Sequence, residues 1–234
     1  MPDETEEEPA AREKRAAAER AAAVVEDGMV VGLGSGTTAE LAVRALGERV
    51  RDGLRIQGVP TSERTAALAR SLGIPLVSLL HPGQVDLAID GADEIVPGTL
   101  SLLKGHGGAL VREKLVAGAA RRVMIVADHT KLVDRLGAHH SVPVEVVPFG
   151  ARLVAVELMS LGGQPVPRLV GLQPFITDNG NLLLDVAFGP IADSAALAAR
   201  LKQISGVVDH GLFIGLASEA LIGTSEGVRT LHAE

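Results

Sequence analysis

Cysteine, tryptophan and tyrosine are absent from this chain of 234 residues, and phenylalanine occurs only 4 times. Without cysteine there is no disulfide, no thiolate metal site, no catalytic thiol and no iron–sulfur cluster, so a reducing cytoplasm is the expected location. With aromatics at 2%, the core has to be aliphatic, and a basic groove with stacked rings for nucleic acid is excluded. Cations are outnumbered as well: 22 Lys plus Arg against 29 Asp plus Glu leave a net charge of −7. No apolar run is long enough to span a bilayer, and the first apolar stretch follows acids rather than a basic start, so neither membrane segment nor secretory signal is expected. Part of the negative charge is local, in Asp3, Glu4, Glu6, Glu7 and Glu8, a polar start that reads as a frayed tail.

What the chain has in quantity is aliphatic sequence in a regular order. Ala10 to Val25 is rich in strong helix formers and stops at Glu26-Asp27-Gly28. Short apolar runs then alternate with helical patterns: MVVGL, TAELAVRALGERV, LRIQGV, ERTAALARSLG, VDLAID, GALVREKLVAGAA and RVMIVAD. Unbroken apolar strands between helices predict a Rossmann-like α/β domain, a parallel sheet covered on both faces. Near Gly137 the order changes. VPVEVVP, ARLVAVELMSLGG, PRLVGL, NLLLDVAF, SAALAARLKQI and GVVDHGLFI read as βαββαβ, which predicts a second, smaller ferredoxin-like α+β domain. The division expected is 1–138 for the first domain, closed by 209–234, and 139–208 for the second.

Three stretches carry chemistry. Gly32-Leu33-Gly34-Ser35-Gly36-Thr37-Thr38 lies between a predicted strand and helix, where glycines allow close approach and a helix start offers N–H groups and positive potential to a phosphate. Its bland alternative is a tight turn with a Ser/Thr cap. No lysine follows Gly36, as a nucleotide P-loop requires, and LRIQGV runs into Pro60-Thr61-Ser62 without the acid of a dinucleotide site. Asp90-Gly91-Ala92-Asp93-Glu94 follows the strand from Val85 to Ile89, and three close carboxylates are expected to raise at least one pKa by repulsion. Lys104-Gly105-His106-Gly107-Gly108 leads into a helix from Ala109 to Ala120, on which Glu113 has Ala109 and Ala117 as neighbours, a setting that suits a desolvated general base. The alternative is that Arg112-Glu113-Lys114 is an ordinary charged helix surface.

Position joins these stretches. In an open α/β sheet, ligands bind beyond the carboxyl ends of the strands. The loops there are 34–38, 61–65, 90–94 and 127–131, all polar and all expected to open on one edge. The seven histidines, His81, His106, His129, His139, His140, His210 and His232, form no HExxH or HxH pair and are expected at the surface or at caps. No metal is demanded by any spacing, although the acidic cluster could hold Mg²⁺.

Together GLGSGTT, VPTSERT, DGADE, KGHGGALVREK, ADHTK, PVEVVPFG, TDNGN and GVVDHGLF, in this order, closely resemble the type A ribose-5-phosphate isomerases from about Lys14 to Leu231. The resemblance implies interconversion of D-ribose 5-phosphate and D-ribulose 5-phosphate in the non-oxidative pentose phosphate pathway, without metal or organic cofactor, by a homodimer or homotetramer whose small-molecule partner is the sugar phosphate. It implies that Glu113 moves the proton, that Asp90 and Asp93, with Gly91 and Ala92 between them, line the sugar and open its ring, and that Lys104 lies near the reacting end beside Gly105, His106 and Gly107. Ser35, Gly36, Thr37, Thr38 and Lys131 correspond to positions at the phosphate, and Lys14 reaches toward it. Ser35 stands where the family commonly has threonine, Thr37 where it has serine, and His106 where glycine or another residue is usual; that ring is expected either to narrow the pocket or to add a hydrogen bond. The rivals are a sugar-phosphate sensor, an amino-sugar phosphate deaminase and a CoA transferase. A DNA-binding sensor lacks support because AREKRAAAERAAA has no second helix for a helix-turn-helix.

Overall fold

A computed structural model describes residues 8–80 and 84–233. Asp3, Glu4, Glu6 and Glu7 of the acidic start, and His81, lie outside these residues. The chain opens on helix α1 (Pro9–Ala23), whose proline sits in the first turn, where its missing N–H costs nothing. Then follow β1 (Val30–Leu33), α2 (Thr37–Arg51), β2 (Gln57–Pro60), α3 (Glu63–Ser71), β3 (Val85–Asp90), β4 (Glu94–Val96), β5 (Ser101–Leu103), α4 (Leu110–Ala119) and β6 (Ala120–Asp128). The next segment holds β7 (Val142–Val146), α5 (Ala151–Ser160), β8 (Gln164–Pro167), β9 (Leu169–Val170), β10 (Gln173–Pro174), β11 (Leu182–Ala187), α6 (Ser194–Gln203) and β12 (Val207–His210). The chain closes with β13 (Leu212–Phe213), β14 (Glu219–Thr224) and β15 (Gly227–His232).

Six strands form the main sheet in the order β15-β14-β6-β3-β1-β2, parallel except for the β14–β15 hairpin. Both faces are buried, and the period of two sorts the side chains. Leu87, Ile89, Met124 and Val126 point into a core with α1, α2 and α3, while Ala88, Val123, Ile125 and Ala127 point into one with α4. Alanines 17, 18, 21 and 22 of α1 are almost wholly buried, so the helix backbone rides close to the sheet. The second face is completed by a three-stranded sheet, β13-β5-β4, whose strands are too short for their pattern to show in the sequence.

The smaller unit is the expected ferredoxin-like one. Its four-stranded antiparallel sheet has the order β12-β7-β11-β8, the fourth, first, third and second strands of the βαββαβ unit, over a core of valines and leucines. Two strand readings are corrected. PRLVGL is not one strand: β8 begins earlier, at Gln164, carries Pro165 and Pro167 on the sheet edge where no N–H is needed, and gives way to a separate β9. GVVDHGLFI breaks at Gly211, where the chain leaves one sheet for another; the Gly211 N–H donates to the Pro143 carbonyl at 2.7 Å and its carbonyl accepts from the Lys104 N–H at 2.9 Å. The smaller unit begins with β7 and ends with β12, which runs on to His210 at the junction. Among the described residues no helix is long and apolar enough to cross a membrane.

Candidate active site

At the carboxyl edge of the main sheet, β1 turns into α2 through Gly34, Ser35 and Gly36. A Cβ on Gly34 would stand 2.3 Å from Asp90 Oδ1 and 2.6 Å from Asp90 Cα, so only glycine lets the two loops touch. Gly36 has φ of 95°, a region unfavourable to L side chains, and it is the N-cap of α2. No side chain caps that helix, so the bland reading of a Ser/Thr cap fails. Uncapped first-turn N–H groups and the positive helix end are thereby available to an anion. The Ser35 hydroxyl is used differently from expectation: it donates to Ser62 Oγ at 2.9 Å and lies 2.8 Å from Thr61 Oγ1 and 3.1 Å from Thr65 Oγ1. The loop 61–65 thus braces the β1–α2 turn from behind.

A cleft of about 90 Å³ opens here, lined by Lys14, Ser35, Gly36, Thr37, Thr38, Gly91, Ala92, Asp93, Lys104, Gly105, Gly107, Glu113 and Lys131. Of the residues expected at the site, only Asp90 and His106 stand back from it. Asp90 is buried, with Oδ2 3.0 Å from Lys104 Nζ and Oδ1 accepting the N–H groups of Ser35 at 3.2 Å and Gly91 at 2.8 Å. His106 places Nδ1 2.9 Å from Asp93 Oδ2 and meets the His140 ring edge-on at 4.8 Å. Its ring therefore orients Asp93 and does not narrow the cleft.

Lys104 is the centre of the charges. Its Nζ donates to the Gly91 carbonyl at 2.6 Å and lies 3.3 Å from Glu113 Oε2. Glu113 is 3% exposed, and that oxygen has no aligned hydrogen bond among the described residues. Beneath the group the packing is nearly complete, leaving a space of only about 10 Å³ among Gly32, Ala88, Val116, Ala117, Ile125 and Phe213. Burial pushes Glu113 up to about 8, with Lys104 opposing and Asp90 and Asp93 adding to the rise. Burial also raises Asp90, again against Lys104. For Lys104, burial acts downward but Asp90, Glu113 and Asp93 outweigh it, so the ammonium is held charged.

The acidic cluster does not work by mutual repulsion. Glu94 turns away from the cleft and accepts the N–H groups of Gly137, His139 and His140 at 2.6, 2.7 and 2.9 Å, tying the loop before β7 to the site. Burial acts to raise Asp93, but the bonds and charge of His106 together with the Lys104 charge outweigh it, and its carboxyl sits below the usual range. Asp90 rises, and burial rather than a neighbouring acid is the chief cause.

The end of the cleft at the α2 start has two cations. Lys14, on α1, lies 3.7 Å from Asp128 Oδ2, and Lys131 lies in the short turn after β6. Glu13, Asp128 and His129 bring potential metal-ligand atoms within 4.8 Å of one another, an arrangement not visible in the sequence because 115 positions separate the first two. It is occupied by its own bonds: His129 Nδ1 lies 2.6 Å from Glu13 Oε2, and Asp128 accepts from Thr130 and faces Lys14. His210 corrects the expectation for histidines, being 4% exposed and neither a surface residue nor a cap.

A sequence model of ribose 5-phosphate isomerase A (phosphoriboisomerase A) matches residues 57–227. The chain belongs to that family. It is 59% identical over 222 residues to ribose-5-phosphate isomerase A of Thermomicrobium roseum, covering 94% of each chain. It is 52% identical over 218 residues to the Gloeobacter violaceus protein of the same name, covering 93% of this chain and 95% of that one. Among solved structures, ribose 5-phosphate isomerase A of Methanocaldococcus jannaschii superposes with a TM-score of 0.91 at 42% identity, over 94% of this chain and 98% of that one. A D-ribose-5-phosphate isomerase in complex with phospho-erythronic acid gives 0.92 at 37% identity, over 95% and 99%.

The supporting roles that sequence reasoning missed are those of Arg168, in the smaller unit, and of Lys114, which lies inside KGHGGALVREK but has no part in the site as read from the sequence. Arg168 donates to the carbonyls of Gly105 at 3.1 Å and His106 at 2.8 Å, and Lys114 to Asp209. No local pattern marks them.

Proposed function

We propose that the chain interconverts D-ribose 5-phosphate and D-ribulose 5-phosphate by proton transfer through an enediolate, with Glu113 as the base. The phosphate dianion is assigned to the α2 start with Lys14 and Lys131, which offer N–H groups and cations together. Asp93, which lines the cleft, serves ring opening and the sugar hydroxyls, while Asp90, standing back from it, holds Lys104 in place. In the open aldose, Glu113 takes the C2 proton; the electrons move to the C1 oxygen, and Lys104 faces the charge that forms there. Glu113 then returns the proton to C1 while the C2 hydroxyl loses its proton and the C1 oxygen gains one. Atoms and charge balance, and the aldehyde is reduced as C2 is oxidised, so no external redox partner enters.

One observation carries this reading: a buried carboxylate raised to about 8 stands 3.3 Å from a buried lysine in a polar cleft that ends at an uncapped helix start. Phospho-erythronic acid, the ligand named for one relative, adds chemical support, because its carboxylate is planar and anionic as an enediolate is. We extend the proposal to a cytoplasmic homodimer or homotetramer, supported by the exposed Phe149, Leu153 and Val156 near and on α5.

Turnover of ribose 5-phosphate in D₂O, followed by NMR, tests the route. Deuterium is expected on the carbon that receives the proton, and Glu113→Gln is expected to lower kcat by at least about 10² with KM little changed. Complete absence of label over many turnovers, or a residual rate within about tenfold of the parent, contradicts the assignment.

A further inference from the structure

Glu113 lies between two cations, Arg112 and Lys114, and neither belongs to an ordinary charged helix surface. Arg112 reaches into the smaller unit, and Lys114 reaches the junction at the end of β12. Arg112 donates through Nε to Asn179 Oδ1 and through Nη2 to the Asp178 carbonyl, each at 3.0 Å. Lys114 donates to Asp209 Oδ1 and to the His210 carbonyl, each at 2.6 Å, with Nζ 4.8 Å from the centre of the buried Phe213 ring. A third cation completes the set from the other side: Arg168, paired with Asp185, donates to the carbonyls of Gly105 and His106. All six of these bonds fall on residues 105–114, the loop and first helical turn that follow Lys104 and carry Glu113.

We infer that Arg168 and Lys114 are positioning residues for the isomerisation, holding the segment 105–114 so that Glu113 keeps its place against Lys104. The inference rests on the reading of Glu113 as the base. Neither side chain lines the cleft, so neither touches substrate. The phosphate end is built on other elements, α1, α2 and the turn after β6, so loosening segment 105–114 leaves the grip on phosphate largely intact. A base displaced by a fraction of an ångström costs rate and little binding. Displacement also admits water beside Glu113, whose charged surroundings on every packed element are Lys104, Asp90 and Asp93.

The test uses the full chain with Lys114→Met and Arg168→Lys; the second keeps a charge beside Asp185 but loses the planar fork that serves two carbonyls. In variants shown by circular dichroism to be folded, kcat is expected to fall roughly tenfold or more with KM within about threefold. The acid limb of the kcat/KM profile is expected to move to lower pH, and Lys114→Arg to restore part of kcat. Should Lys114→Met fail to fold, Arg168→Lys and Asp209→Asn decide the matter. Folded variants that melt lower but keep the parent kcat and pH profile overturn the inference, because they assign these bonds to stability alone. Glu113→Gln is measured alongside: if it retains turnover, the reading of the base has failed, whatever the tethers do.

Discussion

Glu113 shows how far surroundings change what one residue type can do. A carboxylate on a helix surface titrates near 4.5 and is a feeble base at neutral pH; here burial in an apolar wall lifts it to about 8, and Lys104 at 3.3 Å prevents a greater rise. Only the ionised form accepts a proton, so activity is gained as pH rises through that value and lost as it falls. The kcat/KM profile is therefore expected to drop about tenfold per pH unit below about 8, with a further limb near 6 where the substrate phosphate takes up its second proton. A plateau reaching unbroken to pH 5 in the free enzyme contradicts a raised Glu113. Neighbouring acids follow the same physics to different ends. Glu94, satisfied by three N–H groups, is structural, while Asp93 is held charged by His106.

At the scale of elements, the β1–α2 turn makes opposite demands at two glycines. On Gly34 a methyl would press on Asp90, which Lys104, Ser35 and Gly91 already hold, so Gly34→Ala is expected to cost about 1–3 kcal/mol of overpacking and to lower kcat/KM by at least about 10² through the displaced Asp90. On Gly36 there is open space, but φ is 95°, so Gly36→Ala is expected to cost about 1–3 kcal/mol in backbone strain and to show mainly as a raised KM, since the phosphate loop alone is disturbed. Steady-state kinetics with thermal melts separate the two; equal effects on kcat and KM in both variants contradict it. The sequence made this turn legible because strand, glycines and helix stand in order, and the αβ alternation likewise pointed to the parallel sheet. It could not disclose that Gly34 touches Asp90, a contact 56 positions apart. It also concealed β4, β5 and β13, which are two or three residues long and show no period. His210 looked like a surface residue for the same reason: its burial is a property of the junction between two sheets, not of its neighbours in the chain.

That junction ties the whole molecule together, and His210 makes it sensitive to acid. The ring lies at the end of β12, where the chain crosses from one sheet to the other, and its Nδ1 accepts the Leu212 N–H at 3.3 Å. Burial, aided by the nearby Lys114 and Lys202 and opposed by Asp209, lowers its pKa from 6.5 to about 4. The folded state thus holds the neutral ring, and the unfolded chain binds a proton more readily. A depressed pKa of this kind gives stability that is complete above 6.5 and is lost as pH falls toward 4, a difference of about 3 kcal/mol. Asp209, whose carboxyl burial raises but Lys114 outweighs, gives up its own contribution only at lower pH. Denaturant unfolding at pH 7 and pH 4 is therefore expected to show a loss in the parent chain that exceeds the loss in His210→Gln by about 3 kcal/mol, because the variant has no ring to protonate. Equal losses in both contradict a buried neutral His210. The crossing at β12 is also where Lys114 is anchored, so protonation here strains the same bonds that hold the helix of Glu113.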